Sequence, residues 1–136
     1  MKEAVFIDTG FRIALFDIRD KSHIAAERGL KPLLLEYRVY TSDFIVFETI
    51  AYLKCSLKRH DLAIQFLMNL QDSGMDVLAV NETIKDKTLD LFKKYRDKFY
   101  SFTDCSSFVL MFEKGIRKYA GFDEHFRQMG FLSGLI

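Results

Sequence analysis

Four acidic residues stand where their types and neighbours could do chemistry. Asp8 follows the apolar run Ala4-Val5-Phe6-Ile7, and Asp123 follows Tyr119-Ala120-Gly121-Phe122. An acid directly after a buried strand lies at the carboxyl edge of an α/β sheet, where such sheets bind ligands. Aspartate also ends strands because it favours turns and caps, so each of the two taken singly has an equally good structural reading. Glu48 has Phe44, Ile45, Ala51 and Tyr52 as its helical neighbours at three and four residues. That places it in the stripe expected to face the core, where a carboxylate is costly unless paired or bound to a metal. Asp104 opens a helix after Ser101-Phe102-Thr103. Alone it reads as structural, because an acid in a first turn complements the helix dipole and Thr103 or Asp104 would serve as N-cap.

Together the four make a different case. Carboxylates gathered at one edge repel one another and hold their protons more tightly. A hard divalent cation removes that penalty, and an all-oxygen acidic site suits Mg²⁺ or Mn²⁺. Such an ion lowers the pKa of bound water and neutralises charge developing on phosphoryl oxygens, which is the chemistry of phosphodiester hydrolysis.

The elements that must position these residues follow from the hydropathy pattern. Short apolar runs predict strands at Ala4–Ile7, Val39–Ser42, Met75–Val80 and Lys118–Phe122, with a last edge strand near Phe131-Leu132. Helical spacing predicts helices over Phe11–Phe16, Ser22–Tyr37 (interrupted near Gly29 and Pro32), Asp43–Leu57, Asp61–Leu70, Glu82–Lys98 with Asn81 as N-cap, and Asp104–Glu113. Four- to six-residue strands alternating with helices mark an α/β fold with a mostly parallel central sheet and helices on both faces.

With 136 residues and a mass of 15.9 kDa the chain has the size of one domain. It is large enough to bury about two-thirds of its surface without disulfides. Hydrophobic residues at 49% and charged residues at 29% exclude wholesale disorder. The net charge of +1 lacks the strong basic bias of many nucleic-acid binders. Cys55 and Cys105 have no metal-ligand or CxxC spacing, and Cys55 is expected to pack on an apolar face. The first apolar run is too short for a signal peptide and no run is long enough to span a membrane. These features predict a reduced, cytoplasmic domain. His23, His60 and His125 fit no zinc spacing, although His125 lies close enough to Asp123 to support it.

Four segments in order, Phe6-Ile7-Asp8-Thr9, Asp43-Phe44-Ile45-Val46-Phe47-Glu48, Ser101-Phe102-Thr103-Asp104 and Gly121-Phe122-Asp123-Glu124-His125-Phe126, resemble a PIN-domain ribonuclease. The likeness runs on to Gln128-Met129-Gly130-Phe131 and is greatest to the small toxins of the VapC type. The resemblance implies a three-layer α/β/α sandwich spanning residues 1–136 and an endoribonuclease dependent on Mg²⁺ or Mn²⁺. Asp8, Glu48, Asp104 and Asp123 match the family's acidic quartet, which would hold the metal and orient the attacking water. Thr9 and Thr103 match hydroxyl positions beside those acids. The likeness also implies a homodimer and, in the toxin branch, a small antitoxin that blocks the acidic groove. The apolar helical stretches at Leu33-Leu34-Leu35 and Ile64–Leu70 would suit such a dimer. Gly121 departs from the family, which usually has Thr or Ser there, so a hydroxyl near Asp123 is missing.

An acidic pocket needs basic groups around it to hold RNA phosphates. The expected groups are Arg12, then Lys54, Lys58 and Arg59 with His60, and Lys114, Arg117 and Lys118. Lys93-Lys94-Tyr95-Arg96-Asp97-Lys98 reads instead as an exposed face. An aspartic-protease reading of Asp8-Thr9-Gly10 fails because a helical pattern follows at once. Gly10 likewise stands where a phosphotransferase would want a second acid. A non-catalytic binding module of the same fold is the one serious rival.

Overall fold

The run at residues 4–7 becomes the middle of a sheet because both its faces are covered. The computed structural model describes residues 1–135. Its five strands are β1 (Glu3–Ile7), β2 (Tyr37–Ser42), β3 (Asp76–Leu78), β4 (Lys118–Ala120) and β5 (Leu132–Ser133). All pair in parallel, in the order β3-β2-β1-β4-β5. The chain winds from β1 outward to β3, then returns to place β4 on the other side of β1. The strand order therefore reverses between β1 and β4, and a crevice opens beyond their carboxyl ends.

Among the described residues seven α-helices surround the sheet: α1 (Thr9–Phe16), α2 (His23–Glu36), α3 (Asp43–Ala51), α4 (His60–Asp72), α5 (Glu82–Lys94), α6 (Phe102–Lys114) and α7 (His125–Gln128). Side-chain alternation sorts the strands between two cores. Val5, Ile7, Val39 and Ala120 join Phe11 and Ala14 of α1 and Ala26 and Leu33 of α2. Phe6 and Tyr119 join Ile84 of α5, Phe108 of α6 and Phe126. Val46, Leu53, Ala63 and Phe66 form a smaller cluster between α3 and α4. The result is the expected three-layer α/β/α sandwich. Among the described residues no helix is long and apolar enough to cross a membrane.

Several boundaries differ from expectation for local reasons. α2 runs unbroken through Gly29 and Pro32. Pro32 lacks one N–H, but Ala26 and Leu33, both buried, anchor the helix on either side of that gap. The segment expected as one helix over Asp43–Leu57 widens after Ala51 into a π-helical turn at Tyr52–Ser56, which leaves Cys55 exposed rather than packed. β2 starts early at Tyr37, whereas β3 and β4 are shorter than their apolar runs. α5 ends at Lys94, short of Lys98. α6 starts at Phe102 because Ser101 caps it, its hydroxyl accepting the Asp104 N–H at 2.9 Å.

Candidate metal centre at the carboxyl edge of the sheet

Asp8 is the residue at which β1 stops. Its N–H donates to the Ala120 carbonyl at 3.1 Å, the last backbone bond between β1 and the β4 side. Its side chain then caps α1, with Oδ1 accepting the Phe11 N–H at 3.0 Å. The structural reading of Asp8 is therefore correct, and it leaves Oδ2 uncommitted. The carboxyl is only 4% exposed. Burial pushes its pKa up to about 8; the Phe11 bond opposes the rise, and the charges of Asp123, Asp104 and Glu48 add to it.

Asp104 has a double role of the same kind. Its Oδ2 accepts the Ser101 N–H at 3.0 Å, completing a capping box at the start of α6. The same oxygen lies 3.0 Å from Nδ1 of His125. The contact is a hydrogen bond donated by Nδ1 when that nitrogen carries the proton, because an ionised carboxylate only accepts. Asp123 spends Oδ1 on the His125 backbone N–H at 2.9 Å. Each aspartate thus commits one oxygen to local structure. Among the described residues no protein donor reaches Asp8 Oδ2, Asp104 Oδ1 or Asp123 Oδ2.

Packing holds this arrangement in place. Phe126, directly after His125, lies between Tyr119 of β4 and Phe108 of α6, with ring centroids 5.0 Å from each. The Tyr100 ring meets the His125 ring edge-on at 5.2 Å, and its hydroxyl donates to Gln128 at 3.1 Å. Asp104, Asp123 and His125 bring donor atoms within 4.8 Å of one another, close enough to hold one ion.

Glu48 is exposed, not buried in a core-facing stripe as expected. The buried side of α3 is formed by Ile45, Val46 and Thr49, while Glu48 is exposed beside exposed Phe47, Ala51 and Tyr52. Of its apolar neighbours Ile45 is buried and Phe44 half-buried, while Ala51 and Tyr52 are exposed, so Glu48 sits outside the stripe that faces the core. Thr9 is buried and its Oγ1 has no hydrogen-bond partner among the described residues. Thr103 is half-buried, and its carbonyl accepts the hydroxyls of Ser106 and Ser107.

The missing hydroxyl at Gly121 has a steric explanation. A Cβ built there would stand 2.5 Å from Asp8 Oδ2 and 2.7 Å from Asp8 Cγ. The Asp8 carboxyl fills the space a Thr or Ser would need. An oxygen-rich donor set, a buried acid without a cationic partner, and the orphaned Thr9 hydroxyl all fit a hard divalent cation.

Not every basic residue singled out above lies near this edge. Arg12 is buried at 6% exposure, with its guanidinium against Met75 and 5.6 Å from the Phe66 ring centre, so it faces no solvent-borne phosphate. Burial lowers its pKa to about 10. Lys114, Arg117 and Lys118 lie at the end of α6 and the start of β4, the sheet edge opposite the acids. Lys118 is held there by Glu3 and the Tyr37 hydroxyl, each at 3.3 Å. Lys54, Lys58 and Arg59 are exposed beyond the end of α3; Lys54 contacts His60 at 2.8 Å and Arg59 pairs with Asp61 at 2.8 Å.

His125 is the residue that sequence reasoning undervalued. Its spacing from Asp123 was legible, but its bond to Asp104, 21 residues away, depends on how α6 and α7 meet.

The family profile described as PIN domain matches residues 5–132. The chain is 29% identical over 132 residues to the 23S rRNA-specific endonuclease VapC20 of Mycobacterium tuberculosis, in strains CDC 1551 / Oshkosh and H37Rv. That match covers 94% of this chain and 95% of the relative. The crystal structure of M. tuberculosis VapC20, described as a sarcin–ricin loop cleaving toxin, superposes with a TM-score of 0.87 at 26% identity. It covers 97% of this chain and 99% of that one.

Proposed function

This chain belongs to the PIN domain family, and from that premise we propose that it is a VapC-type endoribonuclease toxin that uses Mg²⁺ or Mn²⁺ to hydrolyse RNA. The observation that carries the reading is the set of three aspartate oxygens, on Asp8, Asp104 and Asp123, that have no protein partner among the described residues, at the reversal point of the sheet. They and Glu48 would hold the cation. Once bound, the ion would supply an activated water and neutralise charge on the phosphoryl group.

The chain's own residues do the positioning. The Phe11 N–H and the capping box fix the Asp8 and Asp104 carboxylates before any ligand arrives, so little ordering cost remains. His125 holds Asp104 through Nδ1 and Asp123 through its backbone N–H. Buried Thr9 and half-buried Thr103 offer hydroxyls beside the acids. Lys54, Lys58 and Arg59 are the basic groups that would contact RNA phosphates, and such contacts position RNA without reading its sequence.

The relatives' cleavage of 23S rRNA makes that molecule the first substrate to test. A toxin of this type implies a small cytoplasmic antitoxin covering the acidic groove, and the exposed apolar residues of α2 and α4 would suit a homodimer. The test is incubation of purified protein with ribosomes and with total RNA in Mn²⁺, Mg²⁺ or EDTA, beside the Asp8→Asn variant. Cutting that needs metal and Asp8 is expected. Metal-independent cutting, or full activity in the variant, would overturn the proposal.

A further inference from the structure

Three phenylalanines form a row at the end of the sheet that carries the acids. Phe102 has two ring neighbours, Phe44 at 6.3 Å and Phe92 at 5.9 Å between centroids. Phe44 lies one helical turn before Glu48 on α3, and Phe102 lies two residues before Asp104 on α6. Phe44 and Phe102 each lie in the first turn of their helix, at the carboxyl edge of the sheet that also carries the acids, although Phe102 and Asp104, two residues apart, point to different sides of α6. Phe44 borders the core, but neither Phe92 nor Phe102 belongs to a cluster built on buried residues. Phe92 is 46% exposed and Phe102 is partly open.

The charge pattern indicates what would cover this row. The acids repel a phosphate backbone, so RNA drawn to this edge needs a compensating attraction beside them. Outward from Phe92 the chain continues through Lys93, Arg96 and Lys98, all exposed, and these complement a phosphate backbone. Cations alternating with open rings are what single-stranded nucleic acid binds, with bases on the rings and phosphates on the charges. RNA is recognised mostly where bases are unpaired and can be splayed onto aromatic faces.

We propose that Phe102, flanked by Phe44 and Phe92, is a stacking platform for an unpaired RNA base next to the scissile phosphate. The inference rests on the nuclease reading above. The platform selects loops and single strands over continuous duplex, because a base inside a duplex has no free face to offer.

The test uses full-length wild type and the Phe102→Ala, Phe102→Leu and Phe102→Trp variants. The probe is a hairpin carrying the sarcin–ricin loop, with 2-aminopurine at loop positions. Cleavage kinetics are measured in Mn²⁺, and probe fluorescence is followed in an Asp8→Asn background. Loss of one stacked base is expected to raise KM by roughly 5- to 100-fold in the Ala and Leu variants. The Trp variant should restore KM, and 2-aminopurine quenching should be present only with a ring at position 102. Quenching that survives Phe102→Ala would overturn the platform while leaving the nuclease standing. So would a Leu variant equal to wild type, which would mark the row as a contact for an apolar protein surface. A wild type that neither binds nor cuts the hairpin would remove the nuclease reading for this RNA, and the platform with it.

Discussion

Asp8 and Gly121 occupy one volume: the carboxyl of the first lies where any side chain on the second would have to go. The clash is with the short carboxyl of a buried residue pinned by the Phe11 N–H, so it cannot be relieved by swinging a flexible tip aside. Gly121→Ala is expected to destabilise the protein by ~1–3 kcal/mol, as overpacking does. The same change should be nearly neutral in an Asp8→Gly background. A double-mutant cycle from urea unfolding measures this coupling. Additive effects would show that the two residues do not compete for space.

Asp8 also sets how metal-free stability changes with pH. Its carboxyl is pushed up from 3.8 to about 8 in the folded protein, chiefly by burial. Between those values the folded state holds a proton that the unfolded state has released, so stability falls as pH rises. The stabilisation is complete below pH 3.8 and lost above about 8, with an Asp8 contribution to the slope approaching ~1.4 kcal/mol per pH unit inside the window. Asp8→Asn should remove that slope and be the more stable protein at pH 8 in EDTA, yet cut no RNA. Denaturant titrations at pH 5, 6, 7 and 8 read the difference between the two slopes. Parallel slopes would mean that Asp8 ionises normally.

His125 is expected to matter for metal affinity more than for folding. Its ring fixes the orientation of Asp104 through a 3.0 Å bond. Loss of a group that orients a ligand typically weakens metal binding 10- to 100-fold. His125→Ala should therefore show that loss in a Mn²⁺ titration followed by electron paramagnetic resonance. His125→Gln should recover part of it, because the Gln amide can still donate. An unchanged Mn²⁺ affinity in the Ala variant would remove His125 from the site.

The parts of the fold that were legible share a physical cause. Ala4–Ile7 reads as a doubly covered strand because nothing in it alternates, and Asp8 reads as its end because a charge cannot continue it. What sequence could not supply is the meeting of distant segments. The exposure of Glu48 depends on which side of α3 faces α4, and both sides carry apolar residues. Arg12 looked like a surface cation until α4 and the start of β3 closed over it. Lys114, Arg117 and Lys118 looked close to the acids along the chain. However, α6 carries them about 15 Å from Asp104 at 1.5 Å per residue, to the far edge of the sheet.

Ser101 separates the folding role of Asp104 from its chemical one. In the capping box Ser101 Oγ takes the Asp104 N–H, while Asp104 Oδ2 takes the Ser101 N–H. Ser101→Ala removes only the first bond and should cost ~1 kcal/mol, the usual value of an N-cap. The second bond is to backbone and survives, so the carboxylate keeps its orientation. RNA cleavage at a temperature well below the unfolding midpoint should then stay within about twofold of wild type. Asp104→Asn should do the reverse: its side-chain oxygen can still accept the Ser101 N–H, so stability changes little, while the loss of its charge should abolish cutting. Measuring thermal unfolding and cleavage on both variants decides the matter. If Ser101→Ala lost activity in step with Asp104→Asn, the hydroxyl itself would belong to the reacting site.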